Sequence, residues 1–447
     1  MIQSSPFRWA KCAAWMGAML VSGCAKYHPA PLPAAPDLTK TPVLTLPAKD
    51  FWLPGLKPHE FPNNGLDETA VITLAVFDNP DLKAARLQAG VASAQLLQAG
   101  LLPDPKLNTG YATSAINYGY NIGLSEDIQA LITRGAAKAG ARAHQKQVYL
   151  DILWQEWQVG EKARELFIQA QADDRLQQVL TRTRDLLANR YHQDEAALKK
   201  GNVTSNTVSA DLTVLTDAET SLRQLQIDAN LTRHQLNQLL GLRPDVHLPL
   251  IGPNNIPPVS QDQFQAAVAA LPHRRVDLLA LQAGYESQEQ SVRQSILAQF
   301  PAMSAGIEQG RDPVEGINYF GPNVSLTLPL FNRNRGQIAM QRATRTVLHQ
   351  TYQARLDQAV GDADQVWSAI EIMQGQLRDL DARLPFLEKT AAATELSFRQ
   401  GNLDAGLYVS TESSLLAKQA EAIRLRASLD NAQSALRTLL GLPFDAP

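Results

Sequence analysis

Two periods of apolar residues alternate along this chain. Leu107, Thr109 and Tyr111 alternate with Lys106, Asn108 and Gly110, and then Ile116, Tyr118, Tyr120, Ile122 and Leu124 alternate with Asn117, Gly119, Asn121 and Gly123. A period of two predicts a hairpin of two strands, apolar on one face and small or polar on the other. A helical pattern of about 30 residues precedes it and ends at Pro103 and Pro105. From about residue 136 to 199 the chain reads as one helix, which at ~1.5 Å per residue spans about 95 Å. After Gly201 a second helix carries Leu215, Ala218, Leu222, Leu225, Ala229, Thr232, Leu236 and Leu239.

The same order then recurs. Leu87-Gln88-Ala89-Gly90 returns as Leu281-Gln282-Ala283-Gly284, and Arg134-Gly135 as Arg335-Gly336. Gly201-Asn202-Val203 returns as Gly401-Asn402-Leu403, and Leu239-Leu240-Gly241-Leu242 as Leu439-Leu440-Gly441-Leu442. These landmarks lie 194 to 201 residues apart, which marks a tandem duplication. The second hairpin is weaker: Met303, Ala305 and Ile307 against Ser304, Gly306 and Glu308, then Phe320, Val324, Leu326 and Leu328 against Gly321, Asn323, Ser325 and Thr327. In the second long helix, residues from Tyr352 through Leu356, Ala359, Ala363, Val366, Ile370, Met373, Leu377, Leu380 and Leu384 to Leu387 alternate by four and three, a coiled-coil seam. The first long helix has a looser stripe of Ile152, Val159, Ala163, Leu166 and Ala170. Pro385 is expected to kink or interrupt the second.

Charge and composition narrow the function more than the fold. With 41 basic and 44 acidic side chains the net charge is −3, so nucleic acid is not an expected partner. The 2 Cys exclude a disulfide scaffold, and the 8 His form no close ligand pair, so neither a metal nor another cofactor is expected. Asp173-Asp174 and Asp194-Glu195 are the carboxylate pairs that an enzyme reading would use. In their polar helical surroundings they are read as solvated faces, and no enzyme is expected.

The start of the chain points to a compartment. Arg8 and Lys11 precede an apolar run from Cys12 to Gly23, a signal peptide over 1–23. Such a run spans about 18 Å as a helix, against a hydrocarbon core of about 30 Å. The small residues before Cys24 resemble a bacterial lipobox, which makes Cys24 the lipidated N-terminus of the mature chain and its palmitate-type lipid the single covalent group. Ala25 favours outer-membrane sorting by the same resemblance. Nine of the 26 prolines fall in residues 28–62, so 24–65 is read as an extended strap. The remaining boundaries are repeat 1 at 66–243, a linker at 244–265, repeat 2 at 266–443 and a tail at 444–447.

Four amphipathic strands cannot close a membrane barrel, since the known ones begin at eight, and an open edge in lipid leaves backbone groups unsatisfied. The chain is therefore expected to oligomerise. With the lipobox, the strap, the duplicated order of helix, hairpin, long helix, turn and helix, the Leu328-Pro329-Leu330-Phe331 run and the Leu-Leu-Gly closing each copy, the sequence resembles the TolC-type outer-membrane efflux factors. The resemblance implies a mainly α-helical homotrimer, with an α-helical barrel in the periplasm continuing into a shared 12-stranded β-barrel. It also implies a passive exit duct working with a periplasmic adaptor and an inner-membrane transporter, which the lipid anchor suggests is proton-driven. A lipidated adaptor or coiled-coil spacer without a pore is the alternative.

Several residues acquire expected roles. Tyr111, Ile116, Tyr118, Tyr120, Ile122, Leu124, Phe320, Val324 and Leu326 are expected to face lipid. The turns Gly201-Asn202-Val203 and Gly401-Asn402-Leu403 are expected to form the periplasmic tip that meets the adaptor. Relatives close their entrance with acids beyond the tip glycine, but Thr207, Leu407 and Ser410 occupy the equivalent places, which leaves Asp211 and Asp404 as gate acids. Asp404 also suits the start of the following helix.

Overall fold

A computed structural model describes residues 26–42, 64–114, 117–254 and 256–443. The signal peptide, Cys24, Ile116 and the 444–447 tail lie outside the described residues. The chain divides into a unit of Met1–Leu38 and a unit of Thr39–Pro447. In the first, residues 26–38 form neither helix nor strand and are exposed.

In the second unit the order is α1 (Glu68–Asp78), α2 (Pro80–Gly100), β1 (Lys106–Thr113), β2 (Tyr118–Asp127), α3 (Ile128–Lys199) and α4 (Ser205–Leu239). It then repeats as α5 (Gln261–Arg274), α6 (Val276–Leu297), β3 (Ala302–Arg311), β4 (Asn318–Thr327), α7 (Arg335–Arg399) and α8 (Ala405–Leu439). The fold is thus mainly α with one small sheet. The structure revises these element bounds at several points. The single helix before the first hairpin is two, because Asn79 accepts from the Leu82 amide and Pro80 starts α2, a cap and a proline that force a new helix start. The long helix α3 begins at Ile128 rather than near 136, since the Asp127 carboxylate accepts from the Ala130 amide directly after β2. Helix α7 is not interrupted at Pro385; the proline is exposed and the helix continues to Arg399. Helix α5 starts at Gln261, within the stretch read as linker, on a capping box of Ser260 and Gln263.

The duplication is visible in the helix ends. Gly201, Gly241, Gly401 and Gly441 all take positive φ, between 64° and 74°. In each case the glycine amide donates to a carbonyl three residues back and the next amide to one five back, as in Asn202 to Ala197 at 3.0 Å and Asn402 to Ser397 at 2.9 Å. Glycine suits this left-handed C-terminal cap because it lacks the Cβ that makes positive φ costly.

The main core joins α1, α3 and α4 through Val71, Leu74, Trp157, Ala163, Phe167 and Leu236. A second core joins α5, α7 and α8 through Ala267, Ala363, Ile370, Leu429 and Leu436, with Phe264 stacked on Trp367 at 4.7 Å. The seam from Tyr352 to Leu387 is buried or half-buried throughout. Glu68 on α1 pairs with Arg164 on α3 within the first repeat, and the Glu161 carboxylate on α3 joins the two repeats by accepting from Ser434 at 2.7 Å and Thr438 at 3.0 Å on α8. Burial raises the Glu161 pKa, against the lowering effect of those hydroxyls and of Arg164.

Candidate functional site

The two hairpins form one antiparallel sheet in the order β1-β2-β3-β4. Its central pairing places Leu124 opposite Ile307 and Tyr120 opposite Arg311. Because successive side chains alternate in direction, the three registers put Leu107, Tyr111, Tyr118, Tyr120, Ile122, Leu124, Met303, Ile307, Phe320, Val324 and Leu326 on one face. Within one chain nothing packs on most of them: Tyr111 is 73% exposed, Phe320 72% and Val324 64%. Arg311 ends this face near the hairpin turns, its guanidinium 4.7 Å from the Tyr118 ring centroid. Leu328 continues the alternation of the last strand in sequence but lies just past its end, exposed with Leu330 and Phe331.

The opposite face is mostly Gly, Asn, Ser and Thr, with Lys106 and Asp127 paired at one end and the Glu308 carboxylate near the middle. Glu308 on β3 accepts from the Asn121 side-chain amide at 3.1 Å, from the Asn323 amide at 2.6 Å and from the Tyr319 hydroxyl at 3.3 Å. These donors lie flat because the strand opposite is bare. A Cβ on Gly110 would lie 2.1 Å from the Asn121 oxygen, and one on Gly310 would lie 2.5 Å from the Tyr319 hydroxyl. In the sequence Glu308 shows only as the one charge among the small residues Ser304, Gly306 and Gly310 with which it alternates, and no pattern there assigns it a role. β1 and β4 are the edges of the sheet, each paired on one side only.

The two tip turns lie at the other ends of the long helices. Gly201, Asn202, Gly401 and Asn402 are exposed, and Val203 and Leu403 are half-buried. Thr204 and Asp404 then cap the next helices. The Asp404 carboxylate accepts from the Gly406 amide at 2.7 Å and the Leu407 amide at 3.3 Å. Thr207 is half-buried, and its amide and hydroxyl both engage Thr204. Leu407 and Ser410 are exposed. Asp211 is 8% exposed and pairs with Arg190 on α3 at 2.9 Å, an Arg that the sequence reading did not single out. Burial and a hydrogen bond shared with Asp194 raise the Asp211 pKa, while Arg190 opposes them. At the second tip Phe398 and Tyr408 stack at 4.8 Å.

The carboxylate pairs are not uniformly solvated, which corrects one expectation. Asp173 is 2% exposed, held by Gln169 at 2.8 Å and Thr232 at 3.3 Å, because α4 packs over it. Asp174 beside it is exposed and pairs with Arg233. Among the described residues no group of three or more His, Cys, Asp or Glu is placed to hold a metal ion. Among them also, no helix is long and apolar enough to cross a membrane.

The chain superposes on CusC, whose structures are described in terms of transmembrane channel formation, with a TM-score of 0.68 and 15% identity over 92% of this chain and 99% of that one. The outer membrane protein VceC of Vibrio cholerae gives 0.67 at 18% identity, covering 84% and 96% of the two chains. The CmeC outer membrane channel of Campylobacter jejuni gives 0.68 at 15%, covering 91% and 95%. The architecture is therefore that of the outer-membrane channels. Residues 268–442, nearly the whole second repeat, match the outer membrane efflux protein family, so the TolC-type resemblance holds in fold along the chain and in sequence across that repeat. No curated protein sequence matches significantly.

Proposed function

We propose that this chain is one third of a passive outer-membrane exit duct. The observation that carries the reading is the sheet: one face exposes tyrosine, phenylalanine and aliphatic side chains, the other is small and polar, and both edges are open. An open amphipathic sheet is stable in lipid only when closed, and three copies supply twelve strands and a water-filled lumen. In this reading Tyr111, Tyr118, Tyr120, Ile122, Leu124, Phe320, Val324 and Leu326 meet lipid. The helices form a periplasmic barrel, and the turns at 201–203 and 401–403 meet a periplasmic adaptor that links the duct to an inner-membrane, proton-driven transporter. Cys24 carries the lipid on the periplasmic side of the outer membrane. Asp211, held by Arg190, and Asp404, bound to its helix start, flank the entrance with Thr207, Leu407 and Ser410. Small molecules or metal ions are the cargo, and no chemical step is performed.

The test separates duct from spacer. Cys24→Ala abolishes lipid labelling, yet the protein still requires detergent for extraction, because a closed barrel buries far more apolar surface than acyl chains do. A Cys24→Ala protein that becomes freely soluble would instead identify a lipidated spacer without a pore. Crosslinkers placed at residue 202 or 402 capture the adaptor; capture only of outer-membrane or extracellular partners rejects the placement of the tips.

A further inference from the structure

The polar face of the sheet carries very little charge. Its strand residues are Lys106, Asn108, Gly110 and Ala112 on β1 and Gly119, Asn121, Gly123, Ser125 and Asp127 on β2. On β3 they are Ala302, Ser304, Gly306, Glu308 and Gly310, and on β4 Tyr319, Gly321, Asn323, Ser325 and Thr327. Lys106 and Asp127 sit together at one end, 4.0 Å apart, and offset each other. Glu308 is the remaining charge, and nothing cationic on that face balances it. Its three partners are neutral donors, which fix the carboxylate without cancelling its charge. Glycine stands opposite it on both neighbouring strands, Gly123 and Gly321, so no side chain covers it from above.

We propose that Glu308 sets the charge preference of the duct: three copies form a ring of fixed carboxylates inside the β-barrel that favours cations and disfavours anions. The inference rests on the duct reading, since it needs the polar face to line the lumen. A twelve-stranded barrel places such carboxylates about 8 Å from the axis. At ~0.1 M salt, three charges at that distance concentrate a monovalent cation on the axis roughly threefold and deplete an anion by a similar factor. The preference fades near ~1 M salt, where the screening length falls to about 3 Å. Acid rings are a general means of cation selection in pores. Here the donors Asn121 on β2 and Tyr319 and Asn323 on β4 fix the carboxylate in place, so the ring is built rather than incidental.

The experiment is the reversal potential of the full-length protein in planar bilayers under a potassium chloride gradient. The unaltered protein is expected to prefer potassium over chloride by roughly five- to tenfold at ~0.1 M. Glu308→Gln, whose amide oxygen still accepts hydrogen bonds, brings the ratio close to unity, and Glu308→Lys reverses it. Glu126→Gln, on the opposite face of β2, leaves it unchanged. Conducting pores whose potassium preference survives both Glu308 variants overturn the ring while the duct stands. Absence of any conductance both from the unaltered protein and from a variant with Asp211 and Asp404 at the entrance replaced by Asn rejects the duct, and the ring with it.

Discussion

The long helices α3 and α7 are equivalent parts of the two repeats, yet they are packed differently. Helix α3 lies against α1, α2, α4, α6 and α8, whereas α7 meets α5, α6 and α8. Along α3 the buried residues lie on several sides and include Trp157, Arg164, Phe167, Ile168 and Asp173; along α7 they are Ile338, Ala359, Ala363, Ile370, Leu380 and Ala391. A helix covered on one side shows a narrow seam, and one covered on many sides needs small or apolar residues all round. That is why the heptads are crisp in the second repeat and blurred in the first. The clarity of the repeat therefore reports how little of the helix its own chain covers. Val347, Val360, Ile372, Phe386 and Leu396 on α7 remain exposed, and in the proposed trimer they are available to neighbouring copies.

The largest expected effect tests this asymmetry directly. Phe167 is fully buried, and Trp367, which stands 200 residues later, is half-buried against Phe264. Phe167→Ala should cost about 3–5 kcal/mol, while Trp367→Ala should cost clearly less despite the larger side chain. Denaturant unfolding of the two variants compares them, and equal losses would remove the distinction between the repeats.

A second contrast sets the sheet against the helices. Tyr120→Arg or Ile122→Arg should cost about 2–4 kcal/mol in the membrane-inserted protein and impair assembly, whereas Asn121→Arg between them should alter conductance alone. The reverse ranking, read from the yield of heat-resistant oligomer and from single-channel currents, means that the faces are exchanged.

The glycine caps sharpen the comparison further. A Cβ at Gly201 or Gly401 meets nothing within 4 Å, so alanine there should cost about 1–2 kcal/mol through positive φ alone, and equally in both repeats. At Gly241 the Cβ would lie 2.8 Å from the Asp78 carbonyl oxygen, against 3.3 Å from the Arg274 carbonyl at Gly441. Gly241→Ala should therefore lower the melting temperature more than Gly441→Ala.

The smallest effect concerns the buried junction. Because burial raises the Glu161 pKa above its ordinary 4.5, the folded protein binds a proton that the unfolded chain has released, and stability falls as pH rises through the folded pKa. Glu161→Gln should flatten that slope in melting curves taken upward from about pH 4.5 and should be no less stable at neutral pH. A slope that persists unchanged assigns it to another group.

Much of this was legible before any coordinates. The duplication, the hairpin faces and the four glycine-ended helices follow from periods of two, seven and 200 in the sequence, because each has a local cause in pleat, seam or cap. What could not be read is long-range. The joining of β2 to β3, the pairing of Arg190 with Asp211 and the burial of Asp173 under α4 depend on which helix covers which. Glu308 was visible as one charge in an alternating strand, but its three donors come from strands on either side and were not. The break at Asn79-Pro80 was readable in principle from an Asn-Pro pair, and the helical period on both sides concealed it.

The central claim is that this sheet is closed by neighbouring copies. Single cysteines introduced along the β1 and β4 edges, combined pairwise in one chain and oxidised in detergent or membranes, test it most directly. Covalent species ending at three chains are expected for the pairs in register. Crosslinking that never exceeds one chain, or a ladder that continues past three, would contradict it.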